Sequence, residues 1–198
     1  MESQVRGEKQ NASRLQDSKS PIVKRLRTGS SCEAAGNSVG SPMTDGAQYS
    51  RNLKSIIDKG AVLKRLSHAL MRRSLTLLDL SQKGLMAFDA DLIRKAMAQN
   101  LSLSVLKLGY NLLGNDGAVT IASALRGHPS LSVLDMGFNT VGDVGCSALA
   151  SAIDGNMILK TLYLSGNAVG EAGAFALAEA IEHGCNLTCA HMTANKIG

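Results

Sequence analysis

From Leu75 onward, apolar and polar positions follow one frame that returns five times. Leu75, Leu103, Leu131, Leu159 and Leu187 open the copies, and each lies 28 residues after the one before. The frame is L-x-x-L-x-L-x-x-N-x-L-G, written out almost in full by "LSVLKLGYNLLG" (Leu103 to Gly114) and "LSVLDMGFNTVG" (Leu131 to Gly142). Its first half alternates with a period of two, which predicts a short strand with one buried face. The period then lengthens. Ala90, Ala118, Cys146 and Ala174 form one column, Ile93, Ile121, Leu149 and Leu177 a second, and Met97, Leu125, Ile153 and Ile181 a third. Steps of three and four residues place these columns on one face of a helix. A single strand-turn-helix unit cannot bury both its strand leucines and its helix stripe, so neighbouring units must stack around a shared core.

The polar letters of the frame have structural work as well. Asn111, Asn139, Asn167 and Asn195 fill the ninth position, and an amide side chain offers a buried turn both a donor and an acceptor. The first copy has Lys83 there, which cannot accept a hydrogen bond, so its turn is expected to close differently. Met86 also stands where later copies have glycine. Residues 51–86 therefore read as an N-terminal cap. Gly117, Gly145 and Gly173 are expected at the helix starts, with Asn115, Asp143 and Glu171 setting polar or acidic groups near the positive helix end.

This frame resembles the leucine-rich repeat, over residues 75–198. Its 28-residue period with a full helix per copy resembles the ribonuclease-inhibitor-like subfamily. Ribonuclease inhibitor alternates Asn-type and Cys-type repeats, whereas every matching copy here has Asn, so the pattern is more similar to the repeats of Ran GTPase-activating proteins and NOD-like receptors. The resemblance implies an α/β solenoid: a right-handed βα horseshoe segment of four full repeats and a truncated fifth, with parallel strands on the concave face and helices on the convex face. It implies a noncatalytic protein–protein interaction module. The alternative it suggests is a regulator of a small GTPase, or a fragment of an immune-type NOD-like sensor.

Upstream the composition changes. Residues 1–47 are rich in Ser, Gly, Lys and Gln and show no period, the composition of a disordered tail. Residues 48–74 carry apolar residues at helical spacing, interrupted by Gly60, and read as a capping helix region. The net charge of +5 is concentrated here: residues 51–74 hold seven Lys/Arg against one Asp/Glu, while residues 75–198 hold seven against ten. A nucleic-acid footprint would place the basic patch on the folded domain itself, so the partner expected is a protein, with no nucleic acid. No stretch of eighteen apolar residues and no apolar signal segment occurs, so no membrane is expected, and the location expected is cytoplasmic or nuclear, the latter by way of the basic run Lys24–Arg27. Cys32, Cys146, Cys185 and Cys189 are then expected as free thiols. The sequence given stops at Gly198, after the fifth strand and turn. We read this as truncation of a monomeric solenoid, a dimer closed through the uncapped C-terminal end being the alternative.

Function has to lie in the letters that vary. With the leucines pointing inward, the fifth position of each strand points out and gives Asp79, Lys107, Asp135, Tyr163 and His191, while the eighth adds Gln82, Tyr110, Phe138, Gly166 and Ala194. Tyr110, Phe138 and Tyr163 are three of only six aromatic residues in the chain. Aromatic anchors bury much area at small entropic cost, so these three, with Lys107, Asp135, Asp79 and His191, form the candidate partner-binding set. His183, Cys185, Cys189 and His191 are ligand types for zinc, but they divide between a helix end and a strand, and no metal or other cofactor is assigned. The repeat glycines match no phosphate-binding loop, no nucleophile–base arrangement stands out, and no enzymatic activity is expected.

Overall fold

The structure, a computed structural model, describes residues 75–198. The expected tail (1–47) and capping helix region (48–74), with the basic runs and Cys32, lie outside the described residues. Each copy of the frame supplies a three-residue strand: β1 (Leu77–Asp79), β2 (Val105–Lys107), β3 (Val133–Asp135), β4 (Thr161–Tyr163) and β5 (Cys189–His191). The strands pair in parallel in chain order, and each residue lies opposite the one 28 later, so that Leu78, Leu106, Leu134, Leu162 and Ala190 form one row. Four helices, α1 (Ala90–Gln99), α2 (Gly114–Leu125), α3 (Asp143–Ile153) and α4 (Glu171–Glu182), return the chain from strand to strand. In the first unit a 3-10 turn at Ala87–Asp89 leads into the helix, and there the Met86 N–H donates to Asp89 Oδ2 at 2.8 Å.

The core lies between sheet and helices. Leu106, Leu134 and Leu162 from the strands and Ile93, Ile121, Leu149 and Leu177 from the helices are completely buried. The expected helix columns hold throughout, except that Ile181, in the last helix, is only partly buried. The glycines of the helix starts sit one step further in than expected: α3 begins at Asp143 and α4 at Glu171, so Gly145 and Gly173 fall inside the first turn.

Side-chain hydrogen bonds recur at three places in the repeat, and at each place at least one of them crosses to a neighbouring repeat. In the first, the Asn of one repeat closes the turn of the repeat before it. Asn167 Oδ1 accepts from the Asn139 and Val141 N–H groups, both at 2.9 Å, while its Nδ2 donates to the Met136 and Leu164 carbonyls. Asn111 does the same for the first repeat, accepting from Lys83 and Leu85 at 3.0 Å each and donating to Leu80 O. This corrects the expectation that Lys83 forces a different closure. The acceptor that turn needs comes from the next repeat, and position 83 supplies only its backbone.

The second ladder caps helices across repeats. Asn115 Oδ1 accepts from the Gly142 and Gly145 N–H groups, and Asp143 Oδ1 from those of Gly170 and Gly173, at 2.7 to 3.1 Å. Gly142 and Gly170, at the N-cap positions, carry no side chain of their own for this task. A Cβ on Gly173 would lie 2.8 Å from Asp143 Oδ1 and 2.9 Å from Val169, so the close approach of the two repeats requires glycine. The polar groups foreseen near the helix starts thus serve the following helix.

The third ladder lies at the helix C-termini. His128 Nε2 sits 3.0 Å from Asn100 O, and its Nδ1 accepts from the Ser130 and Leu131 N–H groups at 3.4 and 3.2 Å. Only the neutral ring with the proton on Nε2 satisfies all three contacts. Asn156, 28 residues on, likewise accepts from Ile158 and Leu159.

Leu134→Ala removes a fully buried side chain shared by adjacent repeats and is expected to cost about 2–5 kcal/mol; a chemical melt showing a loss under about 1 kcal/mol would contradict the core assignment. Burial holds the His128 pKa below 6.5, against the opposing pull of the Asn100 and Met97 carbonyls. Its contribution to stability is therefore present above pH 6.5 and lost as pH falls through the depressed value. The unfolding midpoint is expected to drop between about pH 7 and about pH 5, and His128→Asn, which installs the residue found at 100 and 156, should flatten that dependence.

Candidate functional site

Past the strands, the sheet hydrogen bonding continues into the turns. The N–H of Gln82, Tyr110, Phe138 and Gly166, the eighth position, each donates to the seventh-position carbonyl of the next repeat at 2.8 to 3.0 Å. To turn sharply there, the backbone enters the left-handed region: φ is +58° at Gln82, +57° at Tyr110, +55° at Phe138, +69° at Gly166 and +55° at Ala194. Four of the five are not glycine, a conformation L-residues adopt only at some cost. In the first four repeats that conformation accompanies the hydrogen bond to the next repeat, and the fifth keeps it at Ala194.

That backbone projects the eighth-position side chains from the edge of the sheet. Tyr110 and Phe138 stack on each other, ring centroids 4.4 Å apart and planes within 7°, and stay 39% and 44% exposed. The spacing follows from the register, because strands of neighbouring repeats lie about 4.8 Å apart. Beyond Phe138 the row reaches Gly166, where an added Cβ would lie 2.4 Å from the ring. Gly166 is therefore glycine for two reasons, its φ and the room its neighbour's ring takes. Tyr163 and His191, paired across β4 and β5, make a second stack at 4.4 Å and 1°.

The remaining candidates lie on the same face. Asp79, Lys107 and Asp135 occupy one row on β1 to β3, Asp79 exposed and the other two half-buried. Asp79 accepts from the Ser81 N–H, and Asp135 from the Gly137 N–H, both through Oδ1 at 2.9 Å. Among the described residues, no ion pair within 4.0 Å joins Lys107 to either carboxylate. Burial pushes the Asp135 pKa up, opposed by the Gly137 hydrogen bond and by the charge on Lys107. All seven sequence-predicted residues thus share the concave face and its turn edge, as two aromatic stacks and one alternating charged row. The stacking itself, and its dependence on Gly166, were not foreseen; the only signal was a glycine following Tyr110 and Phe138 in the eighth-position column.

The reactive cluster separates. His183 ends α4 and faces Asp154, Nδ1 to Oδ1 3.5 Å, whereas Cys189 Sγ lies 3.1 Å from His191 Nε2 on β5. Among the described residues no group of three or more His, Cys, Asp or Glu is placed to hold a metal ion. Cys146 and Cys185 are free thiols, and desolvation pushes the Cys146 pKa up to about 12, so its thiol stays protonated and inert. The expectation of free thiols fails at Cys189, which is disulfide-bonded. Among the described residues no helix is long and apolar enough to cross a membrane.

Gly166→Ala is expected to displace the Phe138 ring and break its stack with Tyr110 while leaving the Asn ladder intact. Proton NMR would show this as loss of the mutual ring-current shifts of the two residues; unchanged shifts would overturn the placement of Phe138.

Comparison with known proteins agrees with this architecture. Residues 99–122, 127–150 and 155–178 match the family model described as leucine-rich repeat. No curated protein matches the chain. Among solved structures, one titled leiomodin-1 actin-binding site 2 superposes with a TM-score of 0.58 at 16% identity, covering 66% of this chain and 76% of that one. At that identity the likeness is one of fold. Residues 75–198 form an α/β solenoid of leucine-rich repeats, strands on one face and helices on the other.

Proposed function

We propose that the solenoid is a noncatalytic protein-binding module that grips its partner through the concave sheet and the turn edge. One observation carries the reading: two aromatic stacks, Tyr110–Phe138 and Tyr163–His191, stand solvent-accessible on the face that also presents the charged row and the exposed Leu77. A core has no use for rings held at the surface by a strained backbone, whereas an interface gains from rigid aromatic area already ordered before binding. The ladders keep that surface stiff, so little entropy is lost when a partner settles on it.

The repeat pattern also resembles those of Ran GTPase-activating proteins and NOD-like receptors. Regulation of a small GTPase, or a place in an immune-type sensor, rests on that resemblance alone, and no residue of the concave face specifically favours either. The actin-binding title belongs to the leiomodin structure.

Replacing Tyr110, Phe138 and Tyr163 together by Ala is expected to abolish partner capture from native cell extract while leaving the unfolding midpoint nearly unchanged, since none of the three lies in the core. Undiminished capture by the folded triple variant would move the binding surface elsewhere.

A further inference from the structure

The chemistry of the partner is written in the space between the Tyr110–Phe138 stack and the charged row. Gly109 and Gly137, both buried, form the floor of a shallow trough at the seventh position, where other repeats carry Ser81, Ser165 and Thr193. The Asp135 carboxylate leans into it. An ideal Cβ on Gly109 would stand 3.3 Å from Asp135 Oδ2, and one on Gly137 would stand 3.3 Å from Asp135 Oδ1. Two glycines, one repeat apart, thus leave room for one carboxylate. Tyr110 follows Gly109 in the chain and Phe138 follows Gly137, so the stacked rings border the trough on its turn side.

The carboxylate is only partly used. Oδ1 takes the Gly137 N–H, while Oδ2 makes no hydrogen bond to another described residue, and Lys107, its neighbour on β2, does not come within 4.0 Å as an ion pair. Half-burial has already cost the carboxylate part of its hydration, and the charge on Lys107 offsets that cost only through space, without a hydrogen bond to it. The charge balance of the described residues points the same way, with seven Lys/Arg against ten Asp/Glu.

We propose that this trough receives a lysine or arginine side chain of a protein partner, its aliphatic stem against the edges of Tyr110 and Phe138 and its charged head on Asp135. Long basic side chains present an apolar body and a cationic tip in that order, and the paired groups gain a charge-assisted hydrogen bond. The alternation Asp79, Lys107, Asp135 sets the register: a partner segment crossing β1 to β3 offers a basic, an acidic and a basic group in turn. This inference rests on the concave face being the binding surface.

The test is a random dodecapeptide display library selected on the full chain, keeping peptides whose capture is lost in the Tyr110→Ala/Phe138→Ala/Tyr163→Ala variant. The kept peptides are expected to be enriched in Lys and Arg. Their affinity for Asp135→Asn should fall by about tenfold or more, and the salt dependence seen with the wild type should shrink. Asn keeps an oxygen for the Gly137 N–H, so the variant retains the turn. Kept peptides without basic enrichment, or bound equally by Asp135→Asn, overturn the proposal and leave the concave surface standing. If no selected peptide depends on the three aromatic residues, the concave surface itself fails, and this inference with it.

Discussion

A turn inside a solenoid carries backbone N–H and C=O groups that water cannot reach, and leaving them unpaired would cost about 1–3 kcal/mol apiece. The column of Asn111, Asn139, Asn167 and Asn195 meets that need, and it does so between repeats. Each amide bonds the turn of the repeat before it and the end of its own strand, so no turn is complete until the next unit has stacked. Cooperativity between repeats is therefore built into polar contacts as much as into the leucine core. The Asn115 and Asp143 caps, and the His128 contact to Asn100, repeat the same logic at the two ends of the helices.

This linkage explains why the period never departs from 28 residues. An insertion within a repeat would move an Asn away from the turn it serves and a cap away from its helix. The same constraint shapes the outer face. Repeats locked in register bring equivalent side chains to nearly the same separation as stacked rings, so two aromatic residues at one frame position become a stack without any further adjustment. The left-handed backbone at the eighth position, a by-product of the turn, then tips those rings out along the edge. Scaffold and surface follow from one geometric repeat.

Much of the architecture was legible in the residues. The leucine frame predicted the parallel strands, and the columns ending at Met97, Leu125 and Ile153 predicted the buried helix face, because each period matches the geometry of one regular element. Five of the seven candidate residues, Asp79, Lys107, Asp135, Tyr163 and His191, could be placed on one face by counting positions along a strand, whereas Tyr110 and Phe138 reach the edge of that face through the left-handed backbone of the turn. Less legible were the contacts reaching across 26 to 31 residues. Lys83 looked like a defect because a single repeat was judged by its own ninth position, when the acceptor came from Asn111. Cys189 looked like a free thiol because spacing says nothing of which sulfur meets which.

By itself, then, the chain from Leu75 onward determined which side chains face the core and which face outward, since local backbone geometry turns a sequence period directly into a direction. Only the tertiary structure decided what those outward residues meet. It stacked Tyr110 on Phe138 and Tyr163 on His191, fitted the Phe138 ring into the space left by Gly166, and set Lys107 opposite Asp135 in the register without an ion pair between them. Such pairings depend on how closely one repeat approaches the next, and that distance is set by the whole stack and by no single segment of sequence.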